Sequence, residues 1–173
     1  MPEFVDPNKI LNELNLEKGT IAYDFGSGSG GWVIPLAQKL PGGKVFAVDI
    51  QKSALSALEG KAKLYGILNI KCLIANVEEK IEEIKNESCD LVLITDLLFQ
   101  VDDKNGVFKE AFRILKPEAR ILLVEWKPEA PFGPKDSRPS KEETTEIAKN
   151  NGFELEKEIL AGDFHYGIVF IKH

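Results

Sequence analysis

The sequence lacks the features of a membrane, secreted or metal-binding protein. Its 173 residues contain no run of about 18 or more apolar residues, the length that crosses a bilayer as a helix. Residues 1–6, Met-Pro-Glu-Phe-Val-Asp, have neither the basic nor the apolar region of a signal peptide. Two cysteines, Cys72 and Cys89, lie in apolar strand-like segments, without the spacing of a metal site or a disulfide framework. We therefore expect buried reduced thiols, no metal site and a cytoplasmic location.

The chain also lacks an excess of basic residues. The chain has 22 Lys and Arg against 28 Asp and Glu, which gives a formal net charge of −6. A protein that holds nucleic acid mainly through its phosphates needs an excess of basic residues, so the charge argues against a nucleic-acid partner. Internal repeats, low-complexity segments and interdomain linkers are lacking too. The length and the 43% hydrophobic content suit a single domain over residues 1–173.

What the sequence does contain is a glycine-rich turn between two strand-like segments. Residues 23–31 are Tyr-Asp-Phe-Gly-Ser-Gly-Ser-Gly-Gly, and Val-Phe-Ala-Val-Asp-Ile follows at 45–50. Glycines let the backbone approach a ligand that a Cβ would exclude. A helix starting near Gly30 would direct unpaired N–H groups at an anionic part of that ligand. Asp49 ends the second strand, where a carboxylate can bind both hydroxyls of a ribose. The unit predicts a site for a nucleoside-containing cofactor.

The glycine pattern fits two classes of cofactor-binding protein. Gly26, Gly28 and Gly31 satisfy the G-x-G-x-x-G pattern of dinucleotide-binding proteins, whereas Gly26, Gly28 and Gly30 satisfy G-x-G-x-G. Asp24 helps to decide between them. A strand that is buried on both faces is normally apolar throughout, so a carboxylate at the last position of the first strand needs a polar function.

Strand-like and helix-like segments alternate along the chain. This alternation predicts a doubly wound α/β sheet. The expected strands of the alternating part are 20–24, 45–49, 70–75, 89–95 and 120–125. Two further strands, 154–160 and 166–172, are separated only by residues 161–165, too short for a parallel crossover, so they should form an antiparallel hairpin. The Lys- and Glu-rich run at 78–87 is interpreted as the solvated face of a helix.

Together these motifs resemble those of the class I S-adenosylmethionine-dependent methyltransferases, in the small-molecule branch of ubiquinone- and menaquinone-type methylases. The resemblance covers essentially the whole chain. It rests on five segments: Asp24–Gly30, Asp49-Ile50, Asn76-Val77, Asp90–Leu98 and Arg113–Pro117. It implies the family's Rossmann-like fold, a seven-stranded, mostly parallel sheet with a C-terminal antiparallel hairpin. It also implies S-adenosylmethionine as cofactor and methyl transfer to a small-molecule acceptor.

The resemblance also implies roles for individual residues. In this family an acidic residue stands at the position of Asp24, near the cationic methionine end of the cofactor, whereas dinucleotide enzymes usually have an apolar residue there. Asp49 would bind the ribose diol, Ile50 would pack on the adenine, and the Val77 N–H would face an adenine ring nitrogen. Relatives usually have Asp where this chain has Asn76, whose side-chain oxygen can still accept from the adenine amino group. The predicted cofactor-binding set is Asp24, Gly26, Ser27, Gly28, Gly30, Asp49, Ile50, Asn76, Val77, Ile94 and Thr95, of which the last two would meet the methionine moiety.

The acceptor site carries fewer signals. Where relatives often have paired histidines after strand four, this chain has Phe99-Gln100, and a general base is needed only if the acceptor must lose a proton. Asp96 follows strand four, Trp126 follows strand five and His165 lies in the connection of the terminal hairpin. All three are candidates because ligands of open α/β folds bind at this edge of the sheet, although each could be purely structural. The proline-rich segment 126–139 is predicted to cover the acceptor site.

Three functional classes remain open. The favoured one is an S-adenosylmethionine-dependent methyltransferase that acts on an unidentified small molecule by in-line displacement. A nicotinamide-dependent oxidoreductase would fit Gly26, Gly28, Gly31 and Asp49, but it does not explain Asp24 or the hairpin and leaves no segment for a substrate domain. A non-catalytic S-adenosylmethionine-binding subunit would fit the compact size and the lack of an evident base. The acceptor, the methylated atom and the oligomeric state do not follow from the sequence.

Overall fold

The computed structural model describes residues 1–135 and 137–173, and five helices and seven strands form within them. The helices are α1 (Pro7–Asn12), α2 (Val33–Lys39), α3 (Lys52–Leu64), α4 (Lys104–Ile114) and α5 (Lys141–Asn150). The strands are β1 (Ile21–Phe25), β2 (Lys44–Asp49), β3 (Ile70–Ile74), β4 (Cys89–Thr95), β5 (Leu115–Trp126), β6 (Phe153–Ile159) and β7 (His165–Lys172).

All the strands belong to one sheet with the order β3-β2-β1-β4-β5-β7-β6. Strands β1 to β5 pair in parallel, whereas β7 is antiparallel to both β5 and β6. The predicted seven-stranded sheet with a C-terminal antiparallel hairpin is therefore confirmed. The strand order reverses between β1 and β4, and in such sheets ligands bind at the carboxyl ends of the strands beside this reversal.

Helices cover both faces of the sheet, which explains the apolar central strands. On one face, α4 and α5 pack on a core that includes Phe25, Val92 and Ile94. On the other, α1, α2 and α3 pack on a core that includes Ala22 and Leu93. Successive side chains alternate between the faces of a sheet. At the carboxyl ends of β1, β4 and β5, successive side chains therefore point alternately to the two cores.

The connection between β3 and β4 differs from the prediction. Residues 78–87 form successive turns, so the interpretation as a helix face is wrong. Ile81 and Ile84 are buried, and their spacing of three imitates one face of a helix. Side chains of α4 bind this backbone instead. Glu110 accepts from the Ile81 N–H at 2.9 Å, and Arg113 donates to the carbonyls of Ile81 and Ile84.

Two element boundaries move by more than one residue. Helix α2 begins at Val33 rather than near Gly30, because Gly30 has a φ of 99° that a helix cannot include. Strand β5 begins at Leu115 rather than at residue 120 and contains Pro117. The register with β4 shifts between the pairs Cys89–Leu115 and Leu91–Arg120. Pro117 lies in this irregular part, where a strand tolerates a residue without an N–H.

Both cysteines are free thiols of the fold. Cys89 is buried and Cys72 is half-buried. Burial raises the pKa of Cys72 to about 11 and also raises that of Cys89. Over the described ranges, no group of His, Cys, Asp and Glu side chains could hold a metal ion. Within the same ranges, no helix is both long and apolar enough to span a bilayer.

Candidate active site

The loops that follow β1, β2, β3 and β4 enclose a crevice of about 390 Å³. It lies at the carboxyl edge of the sheet, beside the reversal of strand order. The crevice is lined by the predicted cofactor-binding residues Gly26, Gly28, Asp49, Ile50, Asn76 and Val77, together with Gln51, Ala54, Ala75, Glu78, Leu97, Gln100 and Val101. Its volume lies in the range of small-molecule sites.

Asp49 connects the glycine loop to the end of β2. Its Oδ2 accepts from the Gly28 N–H at 2.8 Å, and its Oδ1 accepts from the Gln51 N–H at 2.8 Å. Each carboxylate oxygen has a further lone pair, so both can also accept from hydroxyl groups in the crevice. The two backbone bonds hold the carboxylate in a fixed orientation without help from a ligand.

The loop structure separates the two glycine patterns. A Cβ on Gly26, where φ is 70°, would lie 2.6 Å from Leu97 Cδ1, and a Cβ on Gly30, where φ is 99°, would lie 2.5 Å from Leu58 Cδ1. A Cβ on Gly31 would meet nothing within 4 Å, and Gly31 has no positive φ. The third glycine that this loop requires is therefore Gly30, which belongs to the G-x-G-x-G pattern.

Apolar and amide groups line the end of the crevice beyond Asp49. Ile50 is 68% exposed, so it offers a free apolar surface there. Asn76 Oδ1 accepts from the Glu78 N–H at 3.0 Å and keeps a second lone pair. Val77 is buried and lines the same wall. These groups suit a flat, nitrogen-rich ring such as adenine.

Asp24 is a buried acidic side chain at this edge of the sheet. It is 1% exposed, and neither carboxyl oxygen has a hydrogen-bond partner among the described residues. Burial raises the pKa of Asp24 well above its usual range, and the carboxyl groups of Asp49 and Asp96 raise it further. Most buried polar atoms in proteins are hydrogen-bonded. A cationic ligand group would supply both a hydrogen-bond donor and an opposite charge for this carboxyl group.

The other five predicted cofactor residues are buried and do not line the crevice, namely Asp24, Ser27, Gly30, Ile94 and Thr95. Ser27 and Thr95 are almost fully buried, and Ile94 packs in the core on the α4 face of the sheet. A ligand contact at Ile94 would therefore involve its backbone. The roles of these residues stay predictions.

A second cluster lies where β4, β5 and β7 meet. Trp126 ends β5 and pairs with His165, which begins β7, and their ring centroids are 4.0 Å apart. Nε2 of His165 lies 3.1 Å from Oδ1 of Asp96. The structure thus brings together all three predicted acceptor-site residues. His165 is a strand residue that is 4% exposed, so its predicted place in the hairpin connection is wrong.

The turn that carries Asp96 is held from β5. Asp96 has a φ of 48°, which is uncommon outside glycine, and its N–H donates to the Val124 carbonyl at 2.9 Å. The next two N–H groups, of Leu97 and Leu98, donate to Oε2 of the buried Glu125. Sequence reasoning missed Glu125. Like Asp24, Glu125 is an acidic residue near the end of an apolar strand, and this pattern could have identified it.

Comparisons with known proteins agree with this geometry. The family model of the methyltransferase domain matches residues 16–165. The chain belongs to this methyltransferase family. The demethylmenaquinone methyltransferase of Geobacillus stearothermophilus is 31% identical over 125 residues, which are 72% of this chain and 53% of that protein. The chain spans about half the length of the curated relatives that it matches.

Solved structures confirm the fold of this methyltransferase domain. A SAM-dependent methyltransferase from Aquifex aeolicus superposes with a TM-score of 0.86 at 23% identity, covering 98% of this chain and 91% of that one. One from Methanosarcina mazei superposes with a TM-score of 0.78 at 20% identity, covering 94% and 96% of the two chains. The predicted membership of the methyltransferase family is confirmed as well.

The predicted cover of the methyltransferase acceptor site packs on Trp126. The Arg138 side chain lies over the Trp126 ring, 5.5 Å from its centroid, and donates to carbonyl groups of the cover. These are the carbonyls of Lys127, Ala130, Phe132 and Pro134. A Cβ on Gly133 would lie 2.8 Å from the Trp126 ring. Position 136 of the predicted cover lies outside the described residues.

Phe4, Phe132 and Phe164 form an aromatic rim beside this cluster. The Glu3 N–H donates to Asp163 Oδ2 at 2.8 Å, and the Asp163 N–H donates to the Glu3 carbonyl at 2.8 Å. These bonds place Phe4 next to Phe164, with ring centroids 5.4 Å apart. Phe132 also packs on Phe164, edge to face, with centroids 4.9 Å apart. Phe4 and Phe132 remain more than half exposed.

The buried Glu125 leads to a prediction about pH. Burial raises its pKa to about 7, although the backbone N–H donors oppose the shift. The folded protein therefore keeps a proton that the unfolded chain loses at lower pH, so stability should fall as pH rises from about 4.5 to about 7. At 1.36 kcal/mol per pKa unit, the loss is about 3 kcal/mol at most. Urea unfolding of the wild type and of Glu125→Gln should show that the free energy of unfolding depends less on pH in the variant. An equal slope in both proteins would contradict this origin of the pH dependence.

Proposed function

We propose that this chain binds S-adenosylmethionine in the crevice and transfers its methyl group to a small-molecule acceptor. The observation that carries the proposal is Asp24, a buried carboxyl group without a hydrogen-bond partner among the described residues. When bound, the cofactor supplies an electrophilic methyl group on a sulfonium, and its methionine end carries a cationic amino group that suits Asp24. A dinucleotide would instead bring an anionic pyrophosphate towards two carboxyl groups, those of Asp24 and Asp49.

The remaining residues of the crevice fit the other parts of the cofactor. Asp49 has lone pairs free for the two ribose hydroxyls, and its charge strengthens such bonds. Ile50 and Val77 would contact the adenine, and Asn76 Oδ1 would accept from its amino group. Gly28 lines the crevice with a φ of 54°, and its N–H donates to Asp49. Ser27, Ile94 and Thr95 would border the methionine end.

The aromatic rim supports an acceptor with an apolar, ring-containing body. Phe4 and Phe132 pack on Phe164, which precedes His165 in the chain, and both are more than half exposed. The relative from Geobacillus stearothermophilus is named for methylation of demethylmenaquinone, which is consistent with an acceptor of this kind. The net charge of −6 favours a small molecule over a nucleic acid.

Neither alternative explains the site as well. A nicotinamide-dependent oxidoreductase would need Gly31, which the loop geometry does not require, and leaves Asp24 without a partner. A non-catalytic subunit would share the cofactor crevice but has no use for the second cluster of Asp96, Trp126 and His165. Formation of a methylated product distinguishes the enzyme from such a subunit.

The choice of cofactor can be tested by titration calorimetry on the purified protein. We expect S-adenosylmethionine and S-adenosylhomocysteine to bind in the micromolar range and NAD and NADP to bind at least tenfold more weakly. Methylthioadenosine, which lacks the amino acid part, should lie between them, because it keeps the contacts to the adenine and ribose but not the one to Asp24. Comparable or tighter binding of NAD would overturn the proposal.

A further inference from the structure

The contact between Asp96 and His165 is incomplete in a way that points to a ligand. Five buried side-chain polar atoms of the described residues lack a hydrogen-bond partner, namely both oxygens of Asp24, Oδ1 of Asp96 and both ring nitrogens of His165. The cofactor accounts for Asp24. Oδ1 of Asp96 and Nε2 of His165 are 3.1 Å apart but are not aligned as a hydrogen bond. Catalytic hydrogen bonds often tighten only when the substrate is bound.

Exposure assigns different roles to the two side chains. The Asp96 side chain is 37% exposed while its Oδ1 is buried, so its other oxygen, Oδ2, is the one that can meet an acceptor. His165 is buried against the Trp126 ring, and its Nε2 lies 3.1 Å from Oδ1 of Asp96. Asp96 can therefore touch the acceptor, whereas His165 can act only through Asp96.

The backbone holds Asp96 in a costly conformation. A φ of 48° is strained for a residue with a Cβ, and glycine would make the same turn without strain. The Val124 carbonyl and the Glu125 carboxyl group fix this turn through the N–H groups of residues 96–98. Strain of this kind persists where the surroundings enforce it, and here it accompanies the contact of the Asp96 carboxyl group with His165.

Acidic side chains of two other strands lie within electrostatic range of Asp96. Asp24 on β1 and Glu125 on β5 both interact electrostatically with it, and His165 on β7 contacts it directly.

We propose that Asp96 accepts a proton from the acceptor during methyl transfer and that His165 is the residue that positions it. The acceptor is then an apolar ring compound with a weakly acidic hydroxyl group. A lone pair of the acceptor oxygen forms the bond to the methyl carbon, and the carbon–sulfur electron pair stays on sulfur. The O–H proton passes to Oδ2 of Asp96 while its electron pair stays on the acceptor oxygen. One positive sulfonium and one negative carboxylate are thereby neutralised together, and the proton later leaves to water.

This inference rests on the proposed function, and its first test is independent of activity. The chain has two histidines, so ¹⁵N-histidine labelling gives two sets of ring signals, and His173→Gln assigns them. We expect His165 to be the Nε2–H tautomer with slow hydrogen exchange. Asp96→Asn should keep this tautomer, because the amide oxygen can still accept, and Asp96→Ala should change it. An Nδ1–H tautomer in the wild type, or no response to Asp96→Ala, would overturn the positioning role.

The second test uses 1-naphthol as the acceptor probe and 1-methoxynaphthalene, which has no hydroxyl proton, as its matched control. With S-adenosylhomocysteine present, 1-naphthol should bind at least tenfold more tightly than the control, and Asp96→Ala should abolish the difference. With S-adenosylmethionine, Asp96→Asn should slow methylation of 1-naphthol at least 100-fold, as expected for loss of general base catalysis. Its affinity for S-adenosylhomocysteine should stay within about threefold of the wild type.

The variants of His165 separate positioning from packing. His165→Gln keeps an N–H donor near the position of Nε2 and should retain more activity than His165→Leu, which lacks one. Equal methylation rates in the wild type and Asp96→Asn would refute the role of Asp96. Failure of 1-naphthol to bind a protein that does bind S-adenosylhomocysteine would refute the acceptor class. Failure to bind S-adenosylmethionine at all would instead refute the proposed function.

Discussion

Replacing Asp24 with Asn should stabilise the unliganded protein and weaken its affinity for S-adenosylmethionine by about ten- to 100-fold. The carboxyl group is buried without a hydrogen-bond partner among the described residues, and its raised pKa means that the folded state resists ionisation. Stability of the wild type should therefore fall with rising pH above the ordinary pKa of an aspartate, and the variant should lack this loss. The gain in stability should be larger at pH 8 than at pH 5.

The affinity change has a separate cause. A hydrogen bond to a charged group contributes about 1.5–3 kcal/mol, and 1.4 kcal/mol corresponds to a factor of ten. The wild-type group must lose its proton to pair with a cation, so affinity for S-adenosylmethionine should rise with pH in the wild type but not in Asp24→Asn. Methylthioadenosine, which lacks the cationic amino group, should bind the two proteins equally.

Asp90 provides the matched control for Asp24. It lies on β4 at the opposite edge of the sheet, where it accepts from the Ile21 N–H at 2.9 Å and forms an ion pair with Lys116. Asp90→Asn should therefore lower stability and leave cofactor affinity unchanged. Urea unfolding and calorimetry from pH 5 to pH 8 measure both effects. A less stable Asp24→Asn protein at pH 8, or an equal loss of affinity for methylthioadenosine, would contradict the assignment of Asp24.

Local sequence patterns predicted the cofactor side of the fold well. Asp24 is the penultimate residue of β1 and Asp49 ends the neighbouring β2, so the position of each strand end was sufficient to place both carboxyl groups at one edge. The choice between Gly30 and Gly31 could not be made in this way. It depends on the backbone angle of Gly30 and on the Leu58 side chain, which comes from a different element of the fold.

Contacts that join distant parts of the chain were not predictable. His165 and Asp96 are 69 positions apart, and only the pairing of β7 with β5 brings them together. Residues 78–87 show the opposite problem, since Ile81 and Ile84 have helical spacing but bind to α4 through Glu110 and Arg113. Contacts with residues about 30 positions away override the local preference for a helix there. The sequence of the segment itself does not indicate these contacts.

Replacing Asp49 with Ala should weaken binding of S-adenosylmethionine by about ten- to a thousand-fold while the fold stays intact. A carboxylate that accepts two ribose hydroxyls forms charge-assisted bonds worth about 1.5–3 kcal/mol each. The variant also leaves the N–H groups of Gly28 and Gln51 without their acceptor, which loosens the glycine loop. Comparing adenosine with 2′-deoxyadenosine separates the two effects, because only the first ligand has both hydroxyls. The wild type should prefer adenosine, and Asp49→Ala should lose the preference. If the variant binds both ligands more weakly by the same factor, the loss arises in the loop, and Asp49 is not the ribose ligand.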